Sequence, residues 1–384
     1  MPTISAAIRA LKASSTVAFN AKALDMQRSG VDVIAMTAGE PDFQPPEHVL
    51  EAAHDAIRRG MTKYTASEGT RELRQAIADK HARENDLAYA HDQVIVSTGG
   101  KQVLYNGFMA MLDPGDEVIV PAPYWVSYPA QIQLAGGVCV SVPASADDGF
   151  VPDPDAIAAA ITSRTKAIIV NSPSNPTGAV YPDAVLRAIA DLCERHDLWL
   201  ITDELYEHIV YDGTFTSAAT FYPERTLLVH GASKGYALTG WRIGWGCGPA
   251  GLIKAMGKLQ GQVTSNANAV AQHATRVALE EVELTAAFQA KTLAAYRERR
   301  DVIVAGLNAM GLRTPTPEGA FYVMADLSRI DADETAAATI LLERAHVGVV
   351  PGTDFEAPGF ARLSYACALP QIEQALERIK RLLD

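Results

Sequence analysis

From about residue 93 to 231, short runs rich in β-branched residues alternate with helix-forming segments. This alternation is the strongest constraint on the fold, because parallel strands need a crossover long enough to hold a helix. The runs are QVIVS before a helix starting at Gly99, DEVIV before a helix near 124 to 135, VCVSV before 153 to 162, and KAIIV before 183 to 196. LWLITD and TLLVHG complete the series. The pattern predicts an α/β fold with a mostly parallel sheet between helices. In such sheets ligands collect beyond the carboxyl ends of the strands. Those ends carry Gly99-Gly100-Lys101, Pro123-Tyr124-Trp125, Asn171 through Gly178, Asp203 to Tyr206, and Gly231 to Gly235.

The 384 residues exceed what one core accommodates, since single cores stop growing near roughly 250 to 300 residues. Beyond residue 249 the pattern turns helical, with a long stretch from about 266 to 309, then the strand-like FYVMADL and a short α+β tail. The tail is expected to join the N-terminal residues in a second lobe. The expected division is 1–45 as N-terminal arm and part of the small domain, 46–290 as the large domain, and 291–384 as the small C-terminal domain.

Composition excludes several partners. The formal charge is -12, from 33 basic and 45 acidic residues, and the basic ones are scattered, so neither nucleic acid nor an anionic membrane is expected. No stretch reaches the ~20 unbroken apolar residues of a membrane span. Cys139, Cys193, Cys247 and Cys367 lie far apart without a C-x-x-C, which argues against disulfides or zinc and agrees with a reducing cytoplasm. Residues 1 to 24 are Ser/Ala-rich, hold Arg9, Lys12 and Lys22 and contain no acid before Asp25, a pattern shared with transit peptides. Arg9 and Lys12 interrupt any secretory apolar run, and the segment reads as an ordinary N-terminal arm.

Several motifs compete for the chemistry. Gly231-Ala232-Ser233-Lys234-Gly235 matches the G-x-S-x-G elbow of serine hydrolases, with Asp326 and His346 downstream as paper partners. An elbow needs a helix directly after the serine, and GYALTGWRIGWGCG at 235 to 248 is too rich in glycine and β-formers to supply one. GWGCG lacks the G-x-G-x-x-G spacing of a dinucleotide site. Asp203, Glu204, Glu207 and His208 admit a metal reading, but no H-E-x-x-H accompanies them, and solvated acids at a strand end are the simpler expectation. Lys234 follows another logic. A lysine doing covalent chemistry with a carbonyl must be partly desolvated and neutral, and a turn of small residues lets a bulky cofactor reach its amine.

The segment ASKGYALTGWRIG resembles the lysine signature of the class I, fold-type I aminotransferases that use pyridoxal phosphate (PLP). Further matches follow in the family's order: TAGEPDF at 37–43, KYTASEG at 63–69, GGKQ at 99–102, PYWVSYP at 123–129, NSPSNPTG at 171–178, TDELYEH at 202–208 and RLSYA at 362–366. The GGKQ lysine, SSTVA at 14–18 and PTPEGAFYV at 315–323 carry a finer resemblance to bacterial aspartate and prephenate aminotransferases.

The resemblance implies transamination, by a ping-pong mechanism, between an amino acid such as aspartate or glutamate and a 2-oxo acid, with aromatic or prephenate substrates as the alternative. It implies that Lys234 carries the cofactor and shuttles the proton, that Asp203 holds its ring nitrogen, that Tyr206 and Asn175 bond its phenolic oxygen, and that Trp125 stacks on its ring. Gly99, Gly100, Lys101, Ser233 and Arg242 would cradle the phosphate, joined by Tyr64 from the second subunit of a homodimer. Arg362 would grip the substrate α-carboxylate with Gly39 and Asn175. Lys101, Trp125, Ser15, Thr16 and Lys12 would face its distal end, and no metal is implied. Three departures stand out: Gly231 replaces a phosphate-binding serine, Gly69-Thr70-Arg71 lacks the family's proline, and Ala13 stands where close relatives have proline.

Overall fold

A computed structural model describes residues 3–11 and 15–384 of the chain. Its strands are β1 (Ile34–Ala35), β2 (Val94–Ser97), β3 (Glu117–Ala122), β4 (Val138–Pro143), β5 (Thr165–Asn171), β6 (Trp199–Asp203), β7 (Thr226–Gly231), β8 (Gly244–Cys247), β9 (Tyr322–Asp326), β10 (Val347–Gly348), β11 (Val350–Pro351) and β12 (Phe360–Ser364).

Seven of these form one sheet in the order β2-β8-β7-β6-β5-β3-β4. All pairings among β3 to β7 are parallel. β8 is inserted antiparallel between β2 and β7, so β2 still runs with the parallel strands. Residues of β2, β3 and β7 are buried throughout, as expected when helices cover both faces. The helix Asp183–Arg195 shows how the sequence achieves this cover. Its Leu186, Ile189, Ala190 and Cys193 recur at helical spacing and are buried, while the intervening polar residues face outward.

Register then fixes the upper edge of the sheet. Asn171 pairs with Asp203, Asp203 with Val229, and both Ser97 and Gly231 with Gly244. The last residues of β2, β5, β6 and β7 therefore emerge on one rim. Glycines let the helix Gly100–Met111 lie close over this sheet. A Cβ on Gly246 would come within 2.7 Å of Val103 Cγ1, and one on Gly244 would strike the Gly100 backbone nitrogen.

The C-terminal part packs β11, β12 and β9 as an antiparallel sheet in that order. β1 pairs in parallel with β10, which draws the N-terminal segment onto it. Ile34 and Met36 share one core with Ile303, Leu307, Phe321, Leu341, Ile372 and Ile379. The expected helical stretch from 266 to 309 is two helices, Ala269–Glu280 and Val282–Ala309, broken at Glu281. After Ser233 the chain makes a short 3-10 turn at Thr239–Trp241 and enters β8, so the helix a hydrolase elbow requires is not there. Among the described residues no helix is long and apolar enough to cross a membrane.

Substituting Gly244→Ala should drive a methyl into backbone rather than into a movable side chain, and overpacking of that kind costs about 2 kcal/mol or more. Denaturant melts should show a lower midpoint with an unchanged slope; an unchanged midpoint would mean that the helix start can move.

Candidate active site

The rim residues surround a cleft of about 400 Å³ that opens into an inner chamber of about 230 Å³. Gly39, Gly100, Lys101, Trp125, Leu205 and Lys234 line both spaces. Ser233, Thr239 and Arg242 belong to the outer part, and Tyr128, Asn171, Asn175, Asp203, Tyr206, Tyr322 and Arg362 to the inner. Two halves of the fold meet here, since Arg362 lies mid-way along β12 and Asp203 ends β6.

Lys234 leaves the end of β7 on a turn and donates to the Gly39 carbonyl. Its amine lies 5.8 Å from the ring centres of Tyr206 and Phe321. Burial, followed by the nearby Arg362 and Arg242 cations, pulls it down to about 8, against the opposing pull of Glu40 and Asp203. The carboxyl of Asp203 is moved the other way, up to about 6, chiefly by burial. Tyr128 Oη donates to Asp203 Oδ2 at 2.7 Å and, with the Leu205 amide, limits that rise. The site thus brings together a lysine poised to lose its proton and a buried carboxylate that titrates near neutrality.

Arg362 is buried. Its Nη1 donates to Asn175 Oδ1 and its Nη2 to the Thr37 carbonyl, both at 2.9 Å, while Nε has no partner among the described residues. Asn175 is in turn placed by its amide, which donates to Asn171 Oδ1 at 2.8 Å. The guanidinium lies 4.5 Å from the Tyr322 ring centre, and Tyr322 Oη is 2.8 Å from Tyr206 Oη. On the other side, Lys101 Nζ lies 4.9 Å from the centre of the Trp125 ring, and burial followed by Arg242 lowers its pKa. Arg242 takes a left-handed backbone (φ 56°), and Nη1 donates to the Thr239 carbonyl at 2.6 Å.

The match to known proteins is broad. A model of the class I and II aminotransferases matches residues 31–379. The chain is 53% identical to the aspartate/prephenate aminotransferase of Thermus thermophilus, covering 100% of this chain and 99% of the relative. It is 45% identical to an aspartate aminotransferase of Rhizobium meliloti, covering 98% and 95%. The solved structure of the Thermus thermophilus aspartate aminotransferase with maleate superposes with a TM-score of 0.98 over 100% of both chains, at 53% identity. The chain belongs to the class I and II aminotransferases.

The sequence-predicted residues of the aminotransferase are distributed unevenly. Lys234, Asp203, Tyr206, Gly39, Gly100, Lys101, Trp125, Asn175, Ser233, Arg242 and Arg362 line the two spaces, and Gly99 sits against Arg242 so closely that a Cβ would strike Nη2. Tyr64 is 92% exposed and belongs to a surface depression with Lys63 and Asn266–Val270, outside the cleft of its own chain. Lys12 lies outside the described residues, as do the side chains of Ser15 and Thr16. Gly231 offers no hydroxyl, and a Cβ there would lie 3.0 Å from the Ile243 carbonyl and Gly244 Cα, a tight fit that a serine would relieve only by a small shift of β8. Tyr128, Tyr322 and Glu40 stand inside matched segments, but the resemblance gave them no role; their part in the site arises from contacts across the fold.

The acids beside Asp203 are not solvated, contrary to the expectation from sequence. Glu204 and Glu207 are buried. Glu204 Oε1 accepts from Thr202, Ser217 and the Ala218 amide, and burial raises its carboxyl to about 8. Glu207 pairs with the fully buried Lys80 and lies 3.2 and 3.4 Å from His208 and His230. Glu207, His208 and His230 are spaced as metal ligands are, but the Lys80 ammonium is the cation that holds this carboxylate. Burial pushes Glu207 up, and Lys80 followed by the histidines more than reverses it, leaving the group well below the carboxylate range.

Lys80→Met should strand the Glu207 charge and cost roughly 3 kcal/mol at pH 8, the scale of a broken buried pair. The sign follows from the depressed native pKa: the pair's contribution is present above the ordinary Glu value of about 4.3 and is lost as pH falls through the native value. In the variant the stranded carboxyl takes up a proton more readily, so the stability deficit should narrow on acidification toward pH 5. Denaturation curves across this range check it, and a pH-independent deficit would point to packing alone.

Proposed function

We propose that this aminotransferase uses pyridoxal phosphate and transfers amino groups between aspartate or glutamate and a 2-oxo acid. The observation that carries the reading is the convergence of Lys234, Asp203 and Arg362 on one small chamber. The residues fit the cofactor. A Cβ on Gly99 or Gly100 would press on the Arg242 or Leu205 side chain, and without side chains there the backbone amides at the start of the helix Gly100–Met111 can face a phosphate. First-turn amides have no partner within their own helix, and the helix N-terminus favours an anion. Arg242 and Ser233 would complete the phosphate site, Trp125 would face the ring, and Tyr206 and Asn175 its phenolic oxygen.

When bound, pyridoxal phosphate supplies an electron sink for charge that develops at the substrate Cα. Asp203 would hold the ring nitrogen in its cationic form, and that cation would in turn favour the ionised carboxylate. Arg362 would grip the substrate α-carboxylate through its planar fork, with Asn175 keeping the guanidinium in plane. Lys234 Nζ, with a pKa near 8, would take the proton from the substrate Cα and later return one as general base and acid. Ping-pong exchange with a second 2-oxo acid follows.

The preference for an acidic substrate rests on Lys101, held over the Trp125 ring at the cleft. Maleate, named in the related Thermus structure, likewise carries two carboxylates. The relatives named for both aspartate and prephenate support prephenate as a second substrate. The exposed Tyr64 supports a homodimer in which a second copy reaches this cleft, and the four free cysteines support a cytoplasmic location.

Lys234→Ala should abolish transamination while the protein still takes up pyridoxal phosphate through phosphate and ring contacts; normal turnover would overturn the mechanism. Lys101→Ser should lower kcat/KM for aspartate by roughly ten- to a hundredfold, the worth of a charge-assisted hydrogen bond of about 1.5 to 3 kcal/mol. Phenylalanine and alanine should be almost unaffected, and an equal fall for all donors would assign Lys101 to the cofactor or the fold instead.

A further inference from the structure

Lys234 also borders a separate small cavity that shares no other lining residue with the cleft or its inner chamber. The small cavity has a volume of about 10 Å³, near the minimum that one water molecule occupies. Lys234, Gly235 and Ala237 form one wall, and His208, Gln289, Thr292 and Tyr296 face them. Three of those facing residues carry buried polar atoms without a hydrogen-bond partner: His208 Nδ1, Gln289 Nε2 and Tyr296 Oη. Gln289 is drawn toward the Tyr236 hydroxyl but closes no bond of good geometry there.

The chemistry of these atoms selects a ligand. His208 Nε2 lies 3.1 Å from Glu84 Oε2 and 3.2 Å from Glu207 Oε1. Both carboxyls are held ionised, Glu84 at about 2, so they only accept, and Nε2 must carry the proton. Nδ1, on the other side of the ring, is left without a partner, and a small molecule that both donates and accepts can meet it. The Gln289 amide nitrogen can only donate and requires an acceptor, whereas the Tyr296 hydroxyl serves either way. A metal cation would repel the donor hydrogens of the amide. A molecule of one heavy atom that donates and accepts at once satisfies all three.

We propose that this cavity is a binding site for a single internal water, held by His208, Gln289 and Tyr296, that braces the turn carrying Lys234. The turn needs a brace. Ala237 is held at φ 55°, a left-handed conformation that costs an L-residue free energy, and its amide closes the turn by donating to the Lys234 carbonyl at 3.2 Å. The His208 ring abuts the turn directly, since a Cβ on Gly235 would come within 2.7 Å of Nδ1. His208 and Gln289 also line an outer cleft of about 470 Å³ with Glu84 and Tyr236. The site belongs to the fold and is independent of the cofactor assignment.

Two measurements on the full-length enzyme test it. High-resolution crystallography should show one ordered oxygen about 2.6 to 3.2 Å from His208 Nδ1 and Tyr296 Oη, lost or displaced in Tyr296→Phe, which removes one oxygen and keeps the ring. Hydrogen exchange at the Ala237 amide should quicken roughly fivefold in Tyr296→Phe, the effect of losing one net hydrogen bond, and likewise in His208→Leu as a second variant. A cavity without density in well-resolved maps would overturn the site, and unchanged Ala237 exchange in both folded variants would overturn the bracing role.

Discussion

The in-register parallel pairing of β5, β6 and β7 is the constraint on which the active site depends. It places Asn171 beside Asp203 and Asp203 beside Val229, two residues short of the end of β7, so that functional groups far apart in sequence leave the sheet at one height. A one-residue slip in any pairing would turn those side chains to the opposite face. The antiparallel entry of β8 adds to this arrangement. It sets Gly244 against both Ser97 and Gly231 and brings the start of the helix Gly100–Met111 to the same rim as the Lys234 turn.

Burial then shifts the proton affinities of those groups. Lys234 and Asp203 move toward one another in pKa because both leave water, with the two arginines adding to the effect on the lysine. Removing a charge from water is costly, and the surroundings offset that cost by polar contacts reaching from several elements: Tyr128 on Asp203, Gly39 on Lys234, Asn175 and Thr37 on Arg362. Behind the sheet rim, Lys80 and Glu207 form a buried ion pair that anchors the loop after β6 to the helix Arg71–Asn85. The same loop carries His208, whose ring backs the residue after Lys234, so the buried ion pair and the turn carrying Lys234 are mechanically joined.

Local sequence was enough to read the strand and helix alternation, the absence of a helix after Ser233, and the identity of the lysine signature. These features depend on near neighbours: β-branched runs favour strands, and Gly-rich segments do not hold helices. The break at Glu281 was not legible, because helical periodicity continues on both sides of a single non-helical residue. Nor was the burial of Glu204 and Glu207, since acids following a strand are ordinarily solvated, and here Lys80, from a helix more than a hundred residues earlier, covers one of them.

By itself the sequence determined the family and the α/β architecture, because each is encoded in contiguous motifs whose spacing survives without knowledge of the fold. Only the tertiary structure decided which groups meet. Arg362 reaches Asn175 and Thr37 across separations of 187 and 325 residues, and Tyr322 joins Tyr206 across 116. Such contacts follow from the packing of the C-terminal sheet over the strand rim, and no local pattern records them, since hydrogen bonds and desolvation act through space rather than along the chain.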